Sequence, residues 1–219
     1  MVIQDYHVLA LLPSYLERSG SSLVYMAEHF IQQSKSAYSG FYLHNYQELI
    51  HTLQELHQQR AKVLLLGVTF GLLDLIEKAE EIPNLTQLIV METGGMKGRR
   101  KELLREEVHE LLCKAFGVES IHSEYGMTEL LSQGYSTGEG IFTPGRTMKV
   151  LLRDVNDPFC IYPTQTSKRG GINVIDLGNV DSCCFIETKD LGAYETSGRF
   201  SVLGRFDNSD VRGCNLMIA

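Results

Sequence analysis

The sequence predicts an α/β fold: a mostly parallel sheet with flanking helices, followed by a small antiparallel β subdomain. Three observations lead there. Short apolar runs alternate with segments of helical periodicity as far as Phe116, the pattern of strand–helix–strand units. After Leu130 the texture changes to glycines, prolines and short strand-like runs. The length of 219 residues, 43% of them hydrophobic, allows one large domain or two small ones with a packed core.

Taken in order, residues 7–13 form a short apolar run closed by Pro13, a buried strand. Ser21 or Ser22 caps a helix reaching Ser34, with Leu23, Ala27, Phe30 and Ile31 on one face. A second helix covers 46–60 and turns Leu49, Ile50, Leu53 and Leu56 inward. Residues 62–67 are strongly strand-like and lead into a helix through Leu72, Leu73 and Ile76. Pro83 and Asn84 break the chain before a buried strand at 88–91. Residues 99–116 make the clearest helical pattern, with Leu104, Val108, Leu111, Leu112 and Ala115 as its core stripe. Lys101, Glu102, Arg105 and Glu106 lie on its wet face. A strand at 118–122 follows, and then strands at 148–153, 171–176, 183–188 and 199–204. The boundary falls near residue 135, dividing the chain into an α/β part, 1–135, and a β-rich part, 136–219.

Composition narrows the function. The net charge is −7 and no basic run exceeds a few residues, which argues against a nucleic-acid partner. No apolar stretch approaches the roughly 20 residues of a membrane span. The N-terminus shows no basic region followed by an apolar run, so no signal peptide is expected. The 5 cysteines (Cys113, Cys160, Cys183, Cys184 and Cys214) match neither a zinc site nor a redox pair, and reduced thiols in a cytoplasmic protein are the plain reading.

The most informative stretch is His122-Ser-Glu-Tyr-Gly-Met-Thr-Glu129. It brings a ring, a glycine, a hydroxyl and two carboxylates into one short segment after a strand. Such groups suit a nucleotide with its metal: a ring to lie on the base, a hydroxyl for a phosphate oxygen, a carboxylate for Mg²⁺. Ligands of open α/β sheets bind beyond the carboxyl ends of strands, and Glu92-Thr93-Gly94-Gly95 follows a strand in the same way. The plain alternatives are a tight turn at Gly94-Gly95 and a helix-start carboxylate at Glu129. Gly67-Val-Thr-Phe-Gly71 ends another strand, where Val68 and Phe70 offer apolar walls or ordinary core packing.

Tyr125-Gly-Met-Thr-Glu129 resembles the Tyr-Gly-x-Thr-Glu motif of the adenylate-forming enzymes, the superfamily of acyl-CoA synthetases and luciferases. Met91-Glu-Thr-Gly-Gly-Met96, Thr188-Lys-Asp-Leu-Gly192 and Leu203-Gly-Arg-Phe-Asp207 match further segments of that superfamily in the same order. The wording of 91–112, 122–136 and 204–216 is most similar to the acyl-protein synthetases, the fatty-acid-activating component of bacterial bioluminescence. The resemblance covers essentially the whole chain and implies part of the large domain of an adenylate-forming enzyme.

The implied reaction joins a carboxylate, in this branch a fatty acid, to the α-phosphate of Mg-ATP, and then passes the acyl group to a thiol. By resemblance Tyr125 flanks adenine with Gly126 beside it, Thr128 meets the α-phosphate, and Glu129 helps hold Mg²⁺. Glu92, Thr93, Gly94 and Gly95 would line the adenine side. Asp190 would receive the ribose hydroxyls, a task for a group that accepts two hydrogen bonds. Arg205 would hold ribose or phosphate. Tyr15, in Leu12-Pro-Ser-Tyr15, is placed near the acyl group. Cys214 corresponds to the C-terminal cysteine that carries the acyl group in the luminescence enzymes. An acceptor protein or CoA would then take it, CoA being the acceptor in phenylacetate-CoA ligases, which share the Tyr-Gly-x-Thr-Glu loop.

Two family features are not found in the sequence: the early Ser/Thr/Gly-rich loop with a lysine that wraps pyrophosphate, and the small C-terminal lid. By resemblance the chain starts roughly a hundred residues into the family pattern. That start is expected to leave an apolar sheet edge near 7–12. It also raises a non-catalytic nucleotide- or acyl-binding fragment as the reading from another class.

Overall fold

The computed structural model describes residues 2–13, 20–79, 81–94 and 103–206. Tyr15, Gly95 and Cys214 lie outside the described residues, as do residues 99–102. The described chain is a mixed α/β fold made of two compact units.

The first unit comprises residues 1–94 and 106–122. Its strands are β1 (His7–Leu11), β2 (Gly40–Tyr42), β3 (Val63–Val68) and β4 (Leu88–Thr93). Helices α1 (Ser22–Ser34), α2 (Tyr46–Gln58) and α3 (Thr69–Lys78) connect them, and α4 (Arg105–Phe116) follows β4. The sheet runs β2-β1-β3-β4 with parallel pairing, Leu9 opposite both Gly40 and Leu65, and Leu65 opposite Val90. Every residue of β3 is buried, as a strand covered on both faces requires. Ser21 caps α1 by accepting from the Val24 amide. Leu49, Ile50, Leu53 and Leu56 are buried on α2, the face its periodicity predicts.

Two expectations for this unit change. β1 is not an edge: it pairs with β2 on one side and β3 on the other, so the exposed side of this apolar run is covered by the short Gly40–Tyr42 strand. The helix predicted from residue 99 has its described part start at Arg105, where Glu106 and Glu107 place acidic groups in the first turn. Its buried stripe is Val108, Leu112 and Phe116, a strict i, i+4, i+8 row, whereas Leu104 and Leu111 are exposed.

The second unit comprises residues 95–105 and 123–219. Its strands are β5 (His122–Tyr125), β6 (Gly134–Ser136), β7 (Ile141–Pro144), β8 (Met148–Arg153), β9 (Arg169–Asp176), β10 (Phe185–Tyr194) and β11 (Phe200–Arg205). All pair antiparallel in the order β5-β6-β7-β11-β10-β9-β8. The strand expected at 118–122 begins instead at His122 and runs through Tyr125. Alternation decides this: Ser123 and Tyr125 point inward and are buried, and His122 and Glu124 are less so. The core gathers Tyr125, Leu130, Phe142, Leu152, Ile172 and Phe200 with their neighbours. Full burial of such side chains contributes about 1.5–3 kcal/mol each.

Candidate functional site

Tyr125 is the last residue of β5 and only 8% exposed. The sequence reading puts it in a loop with its ring open to a base. The fold instead packs the ring edge-on against Phe142 and Phe200, with centroids 6.0 and 5.4 Å away. Its hydroxyl donates to Asp190 Oδ2 at 2.8 Å. Asp190 lies where the pairing of β9 with β10 shifts register between Glu187 and Leu191. Its amide donates to Thr188 Oγ1 at 3.1 Å, and its Cα partner across β10–β11 is Arg205. Arg205 Nε stands 3.5 Å from Asp190 Oδ1 and is buried, with no hydrogen-bond partner among the described residues. Three sequence-predicted residues thus converge in one unit from positions far apart in the chain.

Burial raises the Asp190 carboxyl above its ordinary value of 3.8, and the Tyr125 hydrogen bond and Arg205 charge oppose that rise. Burial and the neighbouring Asp190 push Tyr125 well above its ordinary 10.0. The proton therefore stays on Tyr125, and its O–H is the donor. Near this cluster in sequence, Tyr135 is pushed up to about 12 by burial and then by Glu124.

Gly126, Thr128 and Glu129 are exposed on the turn that follows β5. A Cβ on Gly126 would meet the end of the Glu124 side chain, which would have to swing aside. The stretch after Glu129 is fastened: Leu130 is buried, and the Leu131 and Ser132 amides donate to Asp176.

In the first unit, Glu92 and Thr93 end β4 and are buried, and Gly94 adopts a left-handed φ of 72° suited to a tight turn. The Thr69 hydroxyl lies 2.9 Å from Glu92 Oε2 and 3.0 Å from the Gly94 carbonyl, either of which it can donate to. Glu92 Oε1 is 3.6 Å from His109 Nε2. Glu92 therefore ties β4 to α3 and α4. Val68 and Phe70 are almost wholly buried. The space beside Gly67 is filled by Leu72 and that beside Gly71 by Pro13 and Val68, the packing of a strand-to-helix turn.

Sequence reasoning passed over several residues. Arg105, assigned to a solvated face, donates from Nη1 to the Val202 carbonyl at 3.2 Å and lies over the Phe142 ring. Arg153 is buried and donates to the Ile172 carbonyl, Asn173 Oδ1 and the Thr188 carbonyl, bracing the backbone beside Asp190. Asp176 and Asn179 anchor the turn after Glu129. Only Asp176-Leu-Gly178, an aspartate ahead of a turn glycine, carried a sequence signal.

The chemistry of the donor set suits a nucleotide and its cation. Asp190 offers carboxylate acceptors beside Arg205 Nε. Among the described residues no three His, Cys, Asp or Glu side chains form a metal cage. An exposed single carboxylate such as Glu129 fits Mg²⁺, which binds through one or two carboxylates together with phosphates.

The mixed α/β fold matches part of solved domains of adenylate-forming enzymes. The structure is similar to ATP-bound MatB from Rhodopseudomonas palustris, with a TM-score of 0.62 at 16% identity over 92% of this chain and 40% of that one. It is also similar to O-succinylbenzoate coenzyme A synthetase (MenE) from Bacillus subtilis in complex with ATP and magnesium, with a TM-score of 0.59 and 20% identity over 95% and 43% of the two chains. The luciferase-like enzyme of the nonluminescent mealworm Zophobas morio gives a TM-score of 0.60 at 13% identity, over 94% of this chain and 50% of that one. The chain thus spans half or less of these structures' length. No protein family description matches the sequence, and no curated protein matches it. Among the described residues no helix is long and apolar enough to cross a membrane.

Proposed function

We propose that this chain carries the adenosine side of an ATP-dependent carboxylate-activating site of the acyl-protein synthetase type. The observation that supports it best is the Tyr125–Asp190–Arg205 cluster. It keeps a buried carboxylate beside an arginine nitrogen that faces it at 3.5 Å and has no hydrogen-bond partner among the described residues, at the positions the resemblance gives to ribose contacts. Asp190 accepts the ribose hydroxyls and Arg205 orients the sugar or phosphate. Thr128 meets the α-phosphate with its hydroxyl, and Glu129 holds Mg²⁺. When bound, Mg²⁺ neutralises phosphate charge. Glu92, Thr93, Gly94 and Gly95 border the adenine side. The carboxylate is a fatty acid, and Cys214 takes the acyl group before an acceptor protein. Positioning two anions for in-line attack supplies much of the rate.

CoA is the second candidate acceptor, because solved structures with this fold include a coenzyme A synthetase and a malonyl-CoA ligase. Fatty-acid-dependent ATP–pyrophosphate exchange by the purified chain, lost in Asp190→Ala, is the expected result. ATP binding without exchange would reduce the function to a nucleotide-binding fragment, and no ATP binding by folded protein would end the proposal. A stable acyl thioester absent from Cys214→Ser marks protein acylation, whereas acyl-CoA formation by both proteins marks the CoA reading.

A further inference from the structure

Asp176 ends β9 with no exposed surface, and its carboxylate collects four donors. Oδ2 accepts from the Leu131 amide at 2.7 Å and the Ser132 amide at 3.0 Å. Oδ1 accepts from the Ser132 hydroxyl and from the Gly178 amide at 3.0 Å. One turn further, Asn179 Nδ2 donates to the Glu129 carbonyl at 2.6 Å, while Asn179 Oδ1 accepts from the Ser182 hydroxyl at 2.6 Å. These bonds reach across 44 to 50 residues of sequence to three consecutive features of one turn: the Glu129 carbonyl and the two amides after Leu130. The Leu130 side chain is sunk in the core of the same unit. The backbone that carries Glu129 is therefore pinned, although its own side chain is exposed. The donors also hold the Asp176 carboxyl below its ordinary value against the effect of burial, so it remains a charged acceptor near neutral pH.

We propose that Asp176 and Asn179 are positioning residues that fix the Glu129 carboxylate for the magnesium of a nucleotide complex. The inference rests on the proposed ATP site and deepens it. Two costs oppose a bound cation at an exposed turn: ordering the backbone and ordering the side chain. The Asp176–Asn179 anchor meets the first before any ligand arrives. Ser182 supports it by holding Asn179 with the amide nitrogen directed at Glu129. Groups that orient a metal ligand in this way typically change metal affinity by about 10- to 100-fold when removed.

The test is ATP binding to the full chain by calorimetry, with and without Mg²⁺, for Asn179→Ala, Ser182→Ala, Asp176→Asn and Glu129→Gln. The readout is the gain in ATP affinity that Mg²⁺ confers. Asn179→Ala is expected to reduce that gain about tenfold while leaving metal-free ATP affinity unchanged. Ser182→Ala should show a smaller loss in the same direction, and Ser182→Thr, which keeps a hydroxyl, should restore it. Asp176→Asn should also speed amide hydrogen exchange at Leu131 and Ser132. If it fails to fold, Asn179→Ala decides alone. An equal loss with and without Mg²⁺ in Asn179→Ala would show a merely structural anchor and overturn the inference. So would a full Mg²⁺-dependent gain in Asn179→Ala when Glu129→Gln has lost it. If Glu129→Gln itself keeps the gain, the assignment of Glu129 fails and the inference falls with it.

Discussion

Replacing Tyr125 with Phe removes one oxygen and leaves the rest of the unit's core in place. The ring keeps its edge contacts with Phe142 and Phe200, so no cavity forms there. What disappears is the 2.8 Å bond to Asp190 Oδ2, between two residues that are 8% and 7% exposed. A hydrogen bond to a charged acceptor is worth about 1.5–3 kcal/mol, and its loss here strands a buried carboxylate oxygen. Arg205 limits the damage, because its 3.5 Å approach to the other carboxylate oxygen remains. A loss of about 2 kcal/mol follows, roughly a thirtyfold change in the folding equilibrium. The effect also has a sign in pH. In the folded chain Asp190 already titrates above its ordinary 3.8, so ionising it opposes folding as pH rises through the folded range. The Tyr125 O–H lowers that folded value, and removing it raises the value further. Tyr125→Phe must therefore cost more at about pH 7.5 than at about pH 4, because the lost hydrogen bond favours the charged form of Asp190. Urea unfolding followed by circular dichroism at both pH values measures this. A destabilisation below about 0.5 kcal/mol, or one that shrinks as pH rises, would refute the reasoning.

The remaining predictions concern other parts of the fold. Arg153→Met should destabilise the chain by about 3 kcal/mol in thermal or urea unfolding, because the buried Thr188 carbonyl loses its guanidinium donor and the Ile172 carbonyl loses one side-chain donor. The ion pair with exposed Glu187 adds little, so Glu187→Gln should be nearly neutral in the same assay. The wild-type chain should lose stability as pH falls below 3.8, because Asp176 is held below that value when folded; an acid titration of Asp176→Asn should lack this component. Gly67→Ala should cost about 1–3 kcal/mol, since a Cβ there would stand 2.6 Å from Leu72, and a matching Leu72→Ala substitution should relieve the clash while leaving a cavity cost.

Much of the architecture was legible because local patterns match the fold. The apolar runs at 7–11 and 63–68 read as buried strands from their shortness and their β-branched and leucine content, and the stripe on α2 names its own inward face. The helix near residue 105 shows the limit of that logic. Its periodicity fits several apolar rows, and packing selected Val108, Leu112 and Phe116 while leaving Leu104 and Leu111 exposed. The strands Gly40–Tyr42 and Gly134–Ser136 are too short to show a period and exist because a neighbour offers backbone partners.

By itself the sequence determined which residue types stand at the candidate site. Tyr125, Thr128, Glu129, Asp190 and Arg205 were all named from segments that resemble those of the adenylate-forming enzymes. Only the tertiary structure decided how they are held. It turned the Tyr125 ring into the core and aimed its hydroxyl at Asp190, and it buried Arg205 Nε beside the same carboxylate. It also recruited Arg153, Asp176 and Asn179, which reach backbone carbonyls and turn amides 19 to 50 residues away. The physical reason is that a hydrogen bond depends on distance and direction in space. Sequence spacing encodes these only within one helix turn or one strand pair.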